Sequence, residues 1–263
     1  TVFGIASEYY KLTDAERSMM TELVLEACAE EIPVIVSVTS HATEVAIKEA
    51  RKAEKAGADI LMVLPPFFLK PGVGDLLNHI SALIDAVSIP VVVQYAPEQT
   101  GVSIPPEAFL RLQQRSTNVA LKIECKPPGK MISTLVAETK GTVPIYIGNA
   151  GFQMVEGLER GAIGVMPGCS MADVYALIYR VYRNQGLTEA TALHNRLLPV
   201  LNSIRQSVEQ IIKCEKIILA KRGVISTDYC RRPSFELDAV YEAELDRHLA
   251  SIAALMGSGD ATT

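Results

Sequence analysis

What this chain lacks rules out several common functions. It contains no apolar run near the ~18 residues that a membrane span needs, and its first residues show no signal-peptide pattern, so the expected compartment is the cytoplasm and no membrane partner is expected. Its five cysteines, Cys28, Cys125, Cys169, Cys214 and Cys230, are odd in number and lack paired spacing. That argues for reduced thiols rather than a disulfide framework. Cys125 and Cys169 stand beside candidate strand ends, where a cysteine serves either as a reactive thiol or simply as a small packing residue. The four histidines, His41, His79, His194 and His248, are scattered, so no pair shares a helical face as metal ligands and no metal is expected. No Lys/Arg block or basic-aromatic interleaving interrupts a chain of net charge -5, so nothing supports a nucleic-acid partner. Gly-x-Gly-x-x-Gly is absent as well, which weakens the reading of an open nucleotide-binding sheet, and no cofactor is expected.

What is present is a globular composition, 49% hydrophobic and 21% charged over 263 residues, enough for one large domain plus an appendage. Short β-rich runs alternate with stretches of helical period, the pattern of a parallel sheet built from βα units. Seven runs read as strands: Val2-Phe3-Gly4-Ile5, Pro33 to Val38, Ile60 to Leu64, Pro90 to Tyr95, Val119 to Glu124, Pro144 to Gly148 and Ile163 to Met166. Thr13 with Glu16 forms a capping box, and Gly57 and Gly161 stand where helices end. The repeat of roughly 25 to 30 residues suits an α/β fold of TIM (β/α)8 barrel type. From Ala172 to Leu255 the chain reads as helix, broken at Asn184-Gln185-Gly186 and from Arg222-Gly223 to Arg232-Pro233, and Gly257 to Thr263 reads as a disordered end. The expected domains are a barrel over residues 1–186 and a C-terminal helical region over 187–263.

The most informative stretch is Val119-Ala120-Leu121-Lys122-Ile123-Glu124. Alternation along a strand puts Lys122 and Glu124 on one face and Leu121 and Ile123 on the other. An ammonium held among apolar neighbours loses hydration and yields its neutral amine more readily, the form that attacks a ketone or aldehyde. Lys122 is therefore a candidate Schiff-base residue, although a lysine at a strand end with its charge in water fits the same pattern.

Five ordered motifs are similar to those of the dihydrodipicolinate synthase / N-acetylneuraminate lyase family of Schiff-base barrels. Gly4-Ile5-Ala6-Ser7-Glu8 with Leu12-Thr13 resembles the family's Gly-Thr-Thr-Gly-Glu loop and the helix start behind it. Pro33 to Val36 followed by Val45 to Asp59 resembles its third βα unit. Leu64-Pro65-Pro66-Phe67-Phe68-Leu69-Lys70-Pro71 aligns with Pro-Tyr-Tyr-Asn-Lys-Pro, and Ile89 to Pro97 with Thr100-Gly101 aligns with Ile-Pro-Val-Ile-Leu-Tyr-Asn-Val-Pro and its Thr-Gly. Asn118-Val119-Ala120-Leu121-Lys122 falls where the family carries its Schiff-base lysine. The family has a complete βα unit before the first of these motifs, whereas here only Thr1 and Val2 precede Phe3. The resemblance thus implies a (β/α)8 barrel whose first unit is missing from this chain, and a gene product with roughly 40 more residues, about one βα unit.

The resemblance also exposes departures. At positions where synthases and lyases of the family use Thr, two Tyr and an Arg, this chain has Ile5, Phe68, Gln94 and Gln99. None of these supplies a relay proton or a carboxylate-binding charge, so dihydrodipicolinate synthase activity is not expected. Tyr95 does not replace the missing Tyr, because alternation turns it to the face opposite Gln94 and against a helix. Glu124 is the candidate acid/base, or else a salt-bridge partner of Lys122. Candidate substrate-binding residues are Ala6, Ser7, Thr39, Gln94, Gly148, Asn149 and Pro167, with Ser40 and His41 beside Thr39 and Gly168 beside Pro167. The Lys-Ile-Glu strand and the Gln in the Tyr position look similar to the branch that dehydrates 2-keto-3-deoxy sugar acids. The expected function is a Schiff-base lyase on such a small-molecule substrate, dehydration favoured over aldol cleavage. A pyruvate-dependent aldolase and a non-catalytic sugar-acid binder on the same barrel are the alternatives. A homodimer or homotetramer is implied by the resemblance alone.

Overall fold

In the computed structural model, which describes residues 1–29 and 31–259, strands and helices alternate from α1 onward. The order is α1 (Asp14–Cys28), β1 (Ile35–Val38), α2 (Thr43–Ala56), β2 (Ile60–Val63), α3 (Val73–Asp85), β3 (Val91–Tyr95), the short α4 (Pro97–Thr100), α5 (Pro106–Arg115), β4 (Val119–Ile123), α6 (Pro128–Thr139), β5 (Ile145–Ile147), α7 (Met154–Glu159) and β6 (Gly164–Val165). Four helices follow: α8 (Ala172–Asn184), α9 (Leu187–Ile204), α10 (Val208–Lys221) and α11 (Ala239–Gly259). The Thr13 hydroxyl accepts from the Glu16 amide and the Glu16 carboxylate accepts from the Thr13 amide at 2.8 Å, so the expected capping box starts α1. Gly57 ends α2 in the left-handed region at φ 104°, where a residue without Cβ meets no steric cost. The succession of parallel βα units is that of the TIM (β/α)8 barrel fold, with helices after the last strand. Among the described residues no helix is long and apolar enough to cross a membrane.

The residues fall into two compact units that interleave along the chain. One holds Thr1–Gly4, Leu12–Gly148 and Glu156–Ile163, and the other holds Ile5–Lys11, Asn149–Val155 and the chain from Gly164 onward. In the first, β1 to β5 pair in parallel, each with its successor, and connecting helices cover the sheet as parallel sheets require. The register Val38↔Val63, Val63↔Val93, Val93↔Leu121 and Leu121↔Ile145 puts one aliphatic row on the helix-covered face. Tyr95 belongs to that face, its ring edge-on to Phe109 of α5 at 5.3 Å, as alternation requires. Ile147, two residues beyond Ile145, packs there so closely on α7 that a Cβ added at Gly157 would stand 2.2 Å from its Cδ1.

In the second unit α8 to α11 pack on one another, and Glu8, 5% exposed, is the hub of an ionic cluster. Its carboxylate accepts from Lys216, from the Arg231 amide at 3.1 Å and from Lys11 at 3.4 Å. Lys11 also reaches Glu209 at 2.9 Å. Three cations or donors around one buried carboxylate compensate its lost hydration.

Three expectations need correction. The run Val2 to Ile5 is not a strand: only Val2 makes an isolated bridge, to Val36. Phe3 then takes φ 61°, outside the extended region, and a 3-10 turn begins at Ile5, so the described residues hold six strands plus that bridge rather than seven strands. The long helical region has one more break than expected, at Arg205–Ser207, where Ser207 caps α10 by accepting from the Gln210 amide at 3.1 Å. Its Ser-x-x-Gln spacing is a readable capping signal. At the end of the chain α11 continues to Gly259 through part of the expected disordered tail, and residues 260–263 lie outside the described residues.

Ala is intrinsically better than Gly in a helix by about 1 kcal/mol, yet Gly157→Ala must displace the buried Ile147, and such overpacking costs typically ~1–3 kcal/mol. The expected outcome is a net loss of stability, read as a lower urea midpoint at unchanged slope; a gain in midpoint would show that the contact between β5 and α7 yields freely.

Candidate active site

Strand register assembles the site. Gln94 of β3 pairs with Lys122 of β4, and Lys122 pairs with Tyr146 of β5. Residues paired across parallel strands share a face, and adjacent strands lie about 4.8 Å apart. Gln94, Lys122 and Tyr146 therefore form one row, on the face opposite Tyr95, Ile123 and Ile147. One step toward the strand N-termini the row is Val92 and Ala120, an apolar floor beneath the amine. One step toward the C-termini stand Glu124 and Gly148.

Lys122 is 8% exposed and Gln94 2% exposed. The two α-carbons of Lys122 and Glu124 are separated by two strand residues, roughly 7 Å, but their side chains converge so that Nζ lies 3.4 Å from Glu124 Oε1. The Gln94 amide nitrogen donates to Glu124 Oε2 at 2.7 Å. The carboxylate thus holds the amine with one oxygen and is itself oriented through the other. Its position depends on Gly148, where an added Cβ would stand 2.2 Å from Glu124 Cγ and 2.3 Å from Oε1. The absent side chain is the space the carboxylate occupies. A buried amine with one fixed carboxylate beside it is equipped for covalent carbonyl chemistry: the nitrogen attacks, the cation that follows stays compensated, and the carboxylate accepts a proton.

Of the expected site residues, the structure brings together Lys122, Glu124, Gln94 and Gly148. Thr39 follows the C-terminal end of β1, two strands from β3. Its neighbours are locally engaged: Ser40 Oγ accepts from the Ala42 amide at 3.3 Å, the His41 ring meets Phe67 edge-on at 4.8 Å, and Thr43 Oγ1 is 3.0 Å from His79 Nδ1. Ala6 and Ser7 lie in the 3-10 turn Ile5–Ser7, and they, Asn149 and Pro167 belong to the second unit. Asn149 donates to Gln153 at 3.1 Å and accepts from Arg205 at 2.6 Å. Beyond Pro167, Gly168 lets the Glu215 carboxylate lie where a Cβ would be 2.2 Å from Oε1, and Oε2 accepts from the Ser170 amide at 2.8 Å. Burial pushes the Glu215 carboxyl up.

All five cysteines are free. Burial, reinforced by Glu98, pushes the Cys125 thiol up to about 11, and burial followed by Glu215 raises that of Cys169. Neither is a ready thiolate nucleophile at neutral pH. Among the described residues no group of three or more His, Cys, Asp or Glu side chains is placed to hold a metal ion. Tyr146 was not singled out from the sequence, although its place two residues before Gly148 puts it on the Gly148 face by alternation alone.

Residues 1–252 match the model of the dihydrodipicolinate synthetase family. A curated relative from Acidothermus cellulolyticus, named 4-hydroxy-tetrahydrodipicolinate synthase, is 30% identical over 233 residues, 85% of this chain and 70% of that protein. Another, named L-2-keto-3-deoxyarabonate dehydratase, from Azospirillum brasilense, is 27% identical over 91% of this chain and 78% of its own. Among solved structures, dihydrodipicolinate synthase from Rhodopseudomonas palustris superposes with a TM-score of 0.86 at 26% identity, covering 95% of this chain and 84% of that one. The fold is shared with the 4-hydroxy-tetrahydrodipicolinate synthase of Methylacidiphilum fumariolicum SolV, at a TM-score of 0.90, 24% identity and coverage of 98% and 85%. With its parallel βα succession, its buried lysine strand and a family match across nearly its whole length, the chain belongs to the dihydrodipicolinate synthetase family and is an enzyme of the lyase, class I aldolase type.

Proposed function

We propose that this enzyme is a Schiff-base lyase that removes water from a 2-keto-3-deoxy sugar acid, with Lys122 as the covalent residue and Glu124 as the acid/base. The observation that carries the reading is the Gln94-Glu124-Lys122 chain of contacts, an amine-carboxylate pair oriented by an amide that cannot itself move a proton. In its neutral form the Lys122 amine adds to the C2 carbonyl, and loss of the C2 oxygen as water leaves an iminium. The iminium draws electron density from C3 and acidifies its protons. Glu124 removes one of them; the resulting enamine expels the C4 hydroxyl, which leaves as water with the proton Glu124 holds, and a C3–C4 double bond forms. Hydrolysis of the iminium then releases the product and the amine. Thr39 is proposed to contact the distal end of the sugar acid. A cytoplasmic homodimer or homotetramer belongs to the same reading, supported by family resemblance.

The similarity to the dehydratase of Azospirillum brasilense supports dehydration. The relatives named 4-hydroxy-tetrahydrodipicolinate synthase favour a second reading, condensation of pyruvate with an aldehyde through the same lysine. Against it stand Ile5, Phe68, Gln94 and Gln99 at positions that in such enzymes relay protons and grip a carboxylate.

Borohydride reduction of the protein with pyruvate should place a keto-acid-sized mass on the Lys122 peptide, and its absence from folded protein would overturn the Schiff-base assignment. With 2-keto-3-deoxy sugar acids, a product lighter by one water marks dehydration, whereas two fragments mark aldol cleavage. Lys122→Ala is expected to abolish adduct and turnover. Glu124→Gln should retain the adduct while kcat falls about 10²- to 10⁴-fold, the usual contribution of a positioned general base. Equal loss of adduct in both variants would remove the separate acid/base role. Gly148→Ala should force the Glu124 carboxylate aside and lower kcat by ~10²-fold with the adduct retained; unchanged kcat would show that Glu124 need not lie where it does.

A further inference from the structure

We infer that Tyr146 is the proton donor to the C2 oxygen during Schiff-base formation and the acceptor of that proton during hydrolysis. The inference rests on the reading of Lys122 as the covalent residue and goes beyond it in assigning a step that Glu124 does not perform. Forming the iminium requires the carbinolamine hydroxyl to leave, and it leaves as water only when a donor protonates it beside the nitrogen. Glu124 holds Lys122 with one oxygen and Gln94 with the other, and in this chemistry it is the base at C3. Gln94, on the other side of Lys122, has no transferable proton. On the same face of β3 to β5 the remaining neighbours are Val92, Ala120 and Gly148, which carry none either. Tyr146 is left, paired in register with Lys122 and half-buried.

Packing holds it there. Ile145 and Ile147 are 0% and 1% exposed on the helix side of β5, so alternation commits the phenol to the face of Lys122. Among the described residues its hydroxyl has no hydrogen-bond partner within the protein, which leaves it available to a bound substrate. The step balances. The nitrogen lone pair forms the C=N bond, the C2–O bond breaks, and the oxygen departs as water with the phenolic proton. The phenolate remains beside the iminium cation. When water adds to the iminium to release product, it returns its proton to that phenolate.

Tyr146→Phe keeps the ring and removes the proton. With pyruvate as the probe, timed borohydride quenching followed by intact mass gives the rate of adduct formation, and proton NMR in D2O gives exchange at C3. The expected result is adduct formation slowed by about 10²-fold or more, the same final adduct, and unchanged C3 exchange per adduct. Glu124→Gln should show the reverse, normal adduct formation with slow exchange. Adduct formation at the wild-type rate in Tyr146→Phe overturns the inference while leaving the lysine assignment standing. A parallel fall of both rates also overturns it, because it marks a disturbed site rather than a lost donor. Wild-type protein that forms no adduct overturns the underlying reading.

Discussion

The register of three parallel strands is the constraint on which the site depends. β3, β4 and β5 are paired without offset between Gln94, Lys122 and Tyr146. Because side chains alternate with a period of two, a slip of one residue in any strand would turn its member of the row toward the helices. That slip is opposed from the other face. Tyr95 against Phe109 and Ile147 against α7 are packed on the helix side in the observed register, and a slip would turn them away from those contacts. The hydrophobic layer under the helices and the polar row on the opposite face are two consequences of one pairing.

Within that frame the electrostatics are compact. A lysine among Ala120, Val92 and the neighbouring strands has lost most of its water, and the compensation is a single carboxylate at 3.4 Å, itself fixed by Gln94. Coulomb attraction at that separation is stronger away from bulk water, so the ion pair and the absent side chain at Gly148 act together to place Glu124. The second unit contains the same device at another strand end, where the Glu215 carboxylate lies over Gly168. In both, a glycine makes room for a carboxylate that no larger residue would admit.

The resemblance of its motifs implies that this chain departs from the family's synthase pattern in what surrounds the lysine. A Gln at the position of a relay Tyr keeps hydrogen bonding and loses proton transfer. Dehydration requires a base at C3 and a proton for each departing oxygen, and it does not require a charged grip on a second substrate. In the proposed dehydration, the row of Gln94, Lys122 and Tyr146 with Glu124 above it is assigned that shorter set of tasks.

Much of the fold was legible beforehand because its signals are local. The capping box at Thr13, the left-handed turn at Gly57 and the runs at Ile60, Val91, Val119 and Ile145 report backbone preferences within a few residues. An apolar pattern such as that at Val2 does not encode the left-handed conformation that Phe3 takes, and the Ser-x-x-Gln spacing that marks the break at Ser207 is a weaker signal than the helical period around it. For the site, alternation within each strand determined by itself that Lys122 and Glu124 share a face and that Tyr95 faces away from Gln94. It could not determine which residues of other strands stand beside them. That Tyr146 flanks Lys122, and that Gly148 is the space Glu124 occupies, follow from pairing between strands far apart in sequence. Only tertiary structure decided these, because register is fixed by packing across the whole sheet and not by any one strand.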